Sequence, residues 1–282
     1  MSWKAQLTLQ YRRDGEQTLA HDSHEGPLRV LQRLYPEGPS ICHHVVLHPP
    51  GGVVGGDELH LHAQLAEGSH ALITTPGATR FYRSDGAPAL QDVRLQLAAG
   101  SRLEWLPMET LAYSGCEARS ALRMELQPGA EMIGWELLAL GLPAARQPFV
   151  RGSFEQHIEL PGVWLERGRI AASDTALLHA PLGFNGCTVL GTAWFAAGQA
   201  LEPQRSDALL ASARDALGPS ARDALGADGL AAGVTSPQSA VLVLRVLAQG
   251  VEPAMRLLAR VRAAWRQTAW GLRSEPPRIW HT

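Results

Sequence analysis

Glycine turns recur along this chain between segments that alternate polar and apolar residues. The recurring turn glycines are Gly68, Gly100, Gly129, Gly162 and Gly198. Segments such as VRLQLAAGSRLEWL read as strand, glycine turn and strand, and their spacing is similar but not equal. We therefore predict a mainly β body over about residues 1–200, built as a layered or solenoid-like (β-helix-like) stack of short strands. An ordinary β-sandwich is an equally supported alternative.

The run HPPGGVVGGD, which starts at His48, is the densest glycine cluster of the chain. Glycine reaches backbone conformations with positive φ that other residues avoid, so at least one of Gly51, Gly52, Gly55 and Gly56 is expected to adopt one. The bend leads into an alternating strand from Glu58 to Leu65, and this places Asp57 at a defined position. A second turn, TTPGAT, precedes the basic and aromatic segment RFYRS.

The sequence changes in character after Glu202. Ser206 is a candidate cap for a helix through Asp207–Leu217, and a second helix is predicted from Pro253. The apolar residues at helical spacing in the second helix are Leu257, Leu258, Val261, Trp265 and Ala269. We interpret its basic residues as a solvated flank, with a partner surface as the alternative: Arg256, Arg260, Arg262, Arg266 and Arg273. The sequence ARDALG occurs twice, at 213–218 and 221–226, and is predicted to lie in a loop.

Composition limits the classes of function. The formal net charge is −2, from 25 basic and 27 acidic residues, so no overall field favours nucleic acid or an anionic membrane. No apolar stretch approaches the roughly 20 residues of a membrane helix, and the N-terminal residues form no hydrophobic signal. The three cysteines are widely spaced, which fits reduced thiols. We predict a single cytoplasmic domain over residues 1–282, with helices in the part after residue 201.

Histidines offer candidate metal ligands. Strand alternation places His44 and His48 on one face together with Cys42, and His60 and His62 share a face of the next predicted strand. Imidazole and thiolate suit nickel or zinc, but a polar strand face is the favoured explanation of each pair taken alone. The chain has no phosphate-binding loop, no GxGxxG that opens a helix and no GxSxG elbow. Nucleotide binding is therefore not expected.

Three carboxylates stand in informative positions. Asp57 follows the glycine bend and either caps it or carries a functional charge. Glu136 in IGWELLAL and Glu166 in VWLERGRI lie among apolar residues at positions that could face inward. A carboxylate in such surroundings pairs with a cation, binds a metal or contacts water.

The motifs together resemble the UreD family, also called UreH, of urease accessory proteins. The similarity rests on HPPGGVVGGD and TTPGATRFYRS, and it continues through three further segments in family order: GPLRVLQRLYPEG, LEWLPMETLAYSG and PPRIW. It spans the whole chain. One departure follows Glu136, where related sequences carry a Gly-Arg and an acidic residue and this chain reads LGLPAARQPF.

This resemblance implies a non-catalytic maturation chaperone. Such a protein would bind apo-urease and, with UreF and UreG, support nickel delivery in the cytoplasm and metallocentre assembly. It would hold no permanent cofactor and only transient Ni²⁺. In proteins similar to this one, inward acidic residues line a passage for nickel, which implies that role for Asp57 first and then for Glu136, Glu166 and Ser84. Hard oxygen groups would hold the cation weakly enough to release it.

A small-molecule hydrolase that uses Asp57 and nearby histidines is the alternative from a different class. The absence of a recognisable nucleophile motif argues against it.

Overall fold

The structure, a computed structural model, describes residues 2–218, 229–273 and 275–281. Nearly half of these residues lie in strands, which form two β-sheets, one of seven strands and one of ten. The strands are β1 (Lys4–Asp14), β2 (Gln17–Glu25), β3 (Arg29–Val30), β4 (Cys42–Leu47), β5 (Glu58–Leu65), β6 (His70–Thr74), β7 (Thr79–Phe81), β8 (Ala89–Leu97), β9 (Arg102–Leu106), β10 (Thr110–Ala112), β11 (Glu117–Leu126), β12 (Glu131–Leu140), β13 (Ser153–Leu160), β14 (Trp164–Ala171), β15 (Val189–Ala197), β16 (Leu230–Gln238) and β17 (Val241–Ala248). The α-helices are α1 (Thr175–His179), α2 (Pro203–Leu217) and α3 (Val251–Trp270), and short 3-10 segments lie at Pro143–Ala145 and Arg278–His281.

The chain crosses repeatedly from one sheet to the other. The seven-stranded sheet has the order β14-β13-β11-β8-β5-β1-β2, in which the five central strands are parallel. The ten-stranded sheet has the order β16-β17-β15-β12-β9-β6-β4-β3, and off this path β10 pairs with β12 and β7 pairs with β10. The coils form a solenoid-like stack of about four turns. The predicted solenoid-like, mainly β class is therefore confirmed, in preference to an ordinary sandwich.

Stacked glycine turns explain why this sequence forms coils. Gly68, Gly100 and Gly129 have φ of +66°, +65° and +81°, which an L-residue adopts only with strain. A Cβ at Gly129 would lie 3.4 Å from the backbone nitrogen of Gly100 in the turn beside it. The hydroxyls of Ser69 and Ser101 donate to carbonyl oxygens within their own turns, at 2.7 and 2.6 Å. These tight turns form one end of the solenoid. The longer loops, among them the glycine bend before Asp57, lie at the opposite end, which we name the loop end.

Apolar rows fill the space between the sheets. One row crosses five parallel strands and consists of Leu7, Leu61, Val93, Leu122 and Ile158, each 5 % exposed or less. Burying a side chain of this size contributes about 1.5–3 kcal/mol relative to its exposed state.

The opposite, outer face of the seven-stranded sheet carries a polar ladder. The side-chain amide of Gln10 donates to Gln64 at 3.1 Å, Gln64 donates to Gln96 at 3.2 Å, and Gln96 donates to Glu125 at 3.0 Å. Because the strands pair in register, the same side-chain type repeats across three strands. This ladder keeps the outer face polar, since no helix of the described residues covers it.

Helices α2 and α3 cover the outer face of the ten-stranded sheet. The predicted stripe of the last helix is confirmed, because Leu257, Leu258, Val261 and Trp265 are fully buried there. Helix α2 begins at Pro203, three residues before the predicted cap at Ser206, since proline at the first helical position already fixes a helical φ. No helix of the described residues is long and apolar enough to cross a membrane.

The C-terminal third also holds a hairpin that the sequence analysis missed. Strands β16 and β17 extend the ten-stranded sheet between the two helices. The predicted helix end at Leu217 is confirmed, and the loop assignment of the first ARDALG copy is therefore wrong: residues 213–217 are the C-terminal residues of α2, and Ala213 and Leu217 are buried. The second copy, at 221–226, lies outside the described residues.

Candidate functional site

Asp57 lies buried beneath the glycine bend. Gly51 and Gly56 have φ of +78° and +89°, which confirms the predicted positive φ in this run. One carboxylate oxygen of Asp57, Oδ1, accepts the backbone N–H of Trp3 at 2.7 Å, and Oδ2 accepts that of Val54 at 2.9 Å. The side chain is 1 % exposed. Both oxygens thus join the start of β1 to the bend, which is the geometry of a turn cap.

Ser84 lies in the loop next to this bend. Its backbone N–H donates to the carbonyl of Gly115 at 3.0 Å, and its hydroxyl donates to the carbonyl of Ala87. Gly55 packs against it so closely that a Cβ there would be 2.1 Å from the Ser84 hydroxyl oxygen. Asp57 and Ser84 therefore belong to one rigid loop cluster.

Glu136 points into the space between the sheets from β12. It is 6 % exposed, and the indole N–H of Trp105 donates to its Oε1 at 3.2 Å. Burial raises the pKa of Glu136 to about 7, although the Trp105 bond opposes this rise. On the neighbouring strand β15 the indole nitrogen of Trp194 is buried and has no hydrogen-bond partner among the described residues. Gly134, two residues before Glu136 on β12, packs directly against the Trp194 indole. The Glu136 carboxyl group has one hydrogen-bond partner and the indole nitrogen has none, so both have capacity to bind a small polar ligand.

Glu166 is connected to Glu136 by a row of polar side chains, which we name the interior row and which consists of Glu136, Thr192, Arg245 and Glu166. In the sheet register Glu136 lies opposite Thr192, and Thr192 lies opposite Arg245. The Arg245 guanidinium donates to the Glu166 carboxylate on β14 and to the Thr192 hydroxyl at 3.4 Å. Burial raises the pKa of Glu166, and the charge of Arg245 offsets this only in part. The row runs from the buried Glu136 to Arg245, whose side chain is 45 % exposed.

The four predicted path residues thus form two groups. Glu136 and Glu166 share the interior row, whereas Asp57 and Ser84 share the loop cluster. No hydrogen bond or ion pair of the described residues connects the two groups.

The four predicted histidines do not converge. His44 is buried with its Nδ1 2.7 Å from the Tyr11 hydroxyl, and burial lowers its pKa to about 4. His48 lies near the Asp57 bend, and burial lowers its pKa too. His60 and His62 lie on the outer sheet face beside acids and Gln96. In the part of the chain that the structure describes, no group of three or more His, Cys, Asp or Glu side chains could hold a metal ion.

A buried ion cluster escaped the sequence analysis. Glu104 on β9 is fully buried, with Arg262 Nε 2.6 Å from its Oε2 and Arg266 Nε 3.1 Å from its Oε1. Burial alone would raise the pKa of Glu104, but the two guanidinium groups and the nearby His70 hold it well below its usual range. Glu37 adds a second contact to Arg266 and pairs with His43 at 2.9 Å.

The interpretation of the α3 arginines as a solvated flank is therefore wrong for Arg262 and Arg266. Each is 2 % exposed or less, because α3 packs this face onto the outer side of β9. A signal was present, since both continue the four-residue spacing of the buried Leu258. The matching signal for an acidic partner was Glu104, a carboxylate within the apolar segment LEWL.

Comparison with known proteins agrees with the motifs. A family profile described as UreD urease accessory protein matches residues 4–281. The chain is 61 % identical to "Urease accessory protein UreD" from Leptothrix cholodnii over 284 residues, with all of both chains covered. It is 55 % identical to the protein of the same name from Variovorax paradoxus and 53 % identical to that from Methylibium petroleiphilum, again over the whole of both chains.

Proposed function

The chain belongs to the UreD family of urease accessory proteins, and from this premise we propose that it binds apo-urease and, with UreF and UreG, delivers nickel to the urease active site. The observation that carries the proposal is the match to this family over residues 4–281. In this proposal the protein is a cytoplasmic, non-catalytic chaperone, and Ni²⁺ is its cargo.

The interior row supports a path for that cargo. A carboxylate with a pKa of about 7 and one hydrogen bond is half charged at neutral pH, so Glu136 can contact a cation and release it with little cost. Glu166 is already balanced by Arg245, which would weaken its hold on a second cation. Weak, successive oxygen contacts suit a route better than a storage site.

Asp57 and Ser84 are proposed as the loop-end members of the same path. Their oxygens already bond to the protein backbone, so their contribution would be a fixed negative field and a fixed loop shape. The hydrolase alternative gains no support from this geometry, because both Asp57 oxygens accept backbone N–H groups.

The test is reconstitution. Urease structural subunits are co-expressed with UreF and UreG, with this chain present, absent or restored, and urease activity and bound nickel are measured. We expect activation and nickel loading only when the chain is present, and recovery of a complex whose interface buries at least about 1,600 Å². Equal nickel loading without the chain would overturn the proposal.

A further inference from the structure

Exposed apolar residues gather at the loop end of the solenoid. Trp3 is 52 % exposed, Val54 is 39 % and Val150 is 63 %. The three residues belong to three different segments of the chain, which lie side by side at this end. Together with Tyr82, Arg83 and Arg151, we name them the loop-end surface.

Backbone hydrogen bonds join these segments into one continuous surface. The carboxylate of Asp57 holds Trp3 and Val54 together. The N–H of Tyr82 then donates to the carbonyl of Val53 at 2.9 Å, next to Val54. From Arg83 the connection continues through Ser84 to Gly115, whose N–H donates to the Arg151 carbonyl at 2.7 Å. The hydroxyl of Ser114 accepts the N–H groups of Val150 and Arg151, at 3.2 Å each.

Glycines hold two side chains of this surface in fixed positions. The ring of Tyr82 lies directly over Gly52, where a Cβ would be 2.0 Å from Tyr82 Cε2. The stem of Arg83 lies over Gly115, where a Cβ would be 2.7 Å from Arg83 Cγ. Tyr82 also contacts Tyr113, with ring centroids 4.8 Å apart. Side chains ordered before binding lose little entropy when a partner covers them, and tyrosine, tryptophan and arginine are the residues that anchor protein interfaces.

The charge of the loop-end surface is positive. Arg83 and Arg151 are both exposed, and the one ion pair that the described residues give them joins Arg83 to Asp85 at 3.3 Å. The side chains of that pair are 63 % and 87 % exposed, so the pair is weak, and two arginines against one aspartate leave a positive formal charge. The outer face of the seven-stranded sheet differs, because Arg94 and Arg123 there pair with acids of the same face. An apolar surface with exposed arginines is complementary to an acidic protein surface.

We propose that the loop-end surface docks on an acidic face of apo-urease, with Tyr82 and Arg83 as its anchors. This inference rests on the proposed function, which requires contact with apo-urease. The loop cluster of Asp57 and Ser84 lies directly beneath the surface, so a partner seated there would also cover the loop-end part of the proposed nickel path.

The experiment measures the affinity of the full chain, co-expressed with UreF, for nickel-free apo-urease. The double variant Arg83→Glu with Arg151→Glu should weaken binding by about tenfold or more, since like charges then face each other. Tyr82→Ala should weaken it in the same direction. Arg167→Glu makes the same charge change on an exposed residue of the outer sheet face and should bind as the wild type does.

Ionic strength gives an independent readout. Raising the salt from about 0.1 M to about 1 M shortens the Debye length from about 10 Å to about 3 Å, so wild-type binding should weaken while the residual binding of the double variant changes little. Arg151→Glu alone keeps the inference testable if the Arg83 change impairs folding.

The outcomes separate the two proposals. If wild-type protein fails to bind apo-urease, the proposed function is overturned. If wild type binds and the double variant binds equally well, the loop-end surface is not the docking site. Loss of UreF with retention of apo-urease would assign the surface to UreF and also overturn the inference.

Discussion

The guanidinium of Arg266 lies 2.6 Å from the carboxylate of Glu37, a residue 229 positions earlier in the chain. The same side chain contacts Glu104 on β9, so one arginine joins the last helix, a central strand and the loop before β4. Such a contact cannot form until nearly the whole chain is in place.

Glu104→Gln should therefore destabilise the protein strongly. The change leaves Arg262 and Arg266 buried with one negative charge fewer, and breaking a buried pair of this kind costs about 3–5 kcal/mol. Urea unfolding measures it, with Glu125→Gln as the control, because Glu125 is 47 % exposed and its pair with Arg123 is worth at most about 1 kcal/mol. Equal losses for both variants would contradict the role of the buried cluster.

Glu136→Gln should stabilise the protein at high pH. The folded pKa of about 7 lies above the ordinary glutamate value of about 4.3, so between these pH values the native state keeps a proton that the unfolded state has lost. Wild-type stability is thus lowered as pH rises through this window, by roughly 4 kcal/mol in total. The glutamine variant should match wild type at pH near 4 and exceed it above 7. Coincident stability curves would disprove the shift.

The nickel path predicts a second effect of Glu136→Gln. The amide preserves the bond from Trp105 and removes the charge, so complexes should assemble normally while urease receives less nickel. Nickel content per recovered complex is the measurement. Unchanged loading would remove Glu136 from the path.

His44→Gln should change the pH dependence in the opposite direction. Because the folded pKa of about 4 lies below the ordinary histidine value of about 6.5, the unfolded state binds a proton that the native state does not. Wild-type stability therefore falls as pH falls between these values, by about 3 kcal/mol, and the variant should lack this loss. The glutamine can still bond to Tyr11. Unfolding curves at a series of pH values compare the two proteins, and a parallel loss in both would contradict the prediction.

Gly52→Ala and Gly51→Ala should each destabilise the protein, but for different physical reasons. Gly52 has no positive φ, but its new Cβ would meet the Tyr82 ring, whereas Gly51 has open space and a φ of +78°. Overpacking and left-handed strain each cost on the order of 1–3 kcal/mol. In a Tyr82→Ala background the Gly52 loss should disappear and the Gly51 loss should remain. Melting temperatures of the two double variants decide it.

Asp57→Asn should lower stability as well as remove charge. An asparagine offers one acceptor where Asp57 serves two backbone N–H groups, so one of them loses its partner at a cost of about 1–3 kcal/mol. The variant's melting temperature and its nickel delivery should be measured together. A variant as stable as wild type would contradict the turn-cap geometry.

The features that local chemistry determines could be predicted from the sequence. The turn glycines, the positive φ at Gly51 and Gly56, and the apolar stripe around Leu258 depend on residues close to one another in the chain. The burial of Arg262 could not be predicted in that way, because it depends on Glu104, 158 residues earlier, lying on the strand that α3 covers. The inward direction of Glu136 followed from its apolar neighbours, whereas its alignment with Thr192 and Arg245 required the register of three strands.

Parallel strands in register with a ladder of amides, as in Gln10, Gln64 and Gln96, are also the arrangement by which fibrils grow without limit. Here growth stops. The seven-stranded sheet ends in β2 and β14, which run antiparallel to their neighbours, and the edge strand β14 carries charged residues along its exposed length. A charged edge strand disfavours edge-to-edge pairing with a second molecule. The parallel part of this sheet is therefore bounded on both sides by antiparallel strands of the same chain.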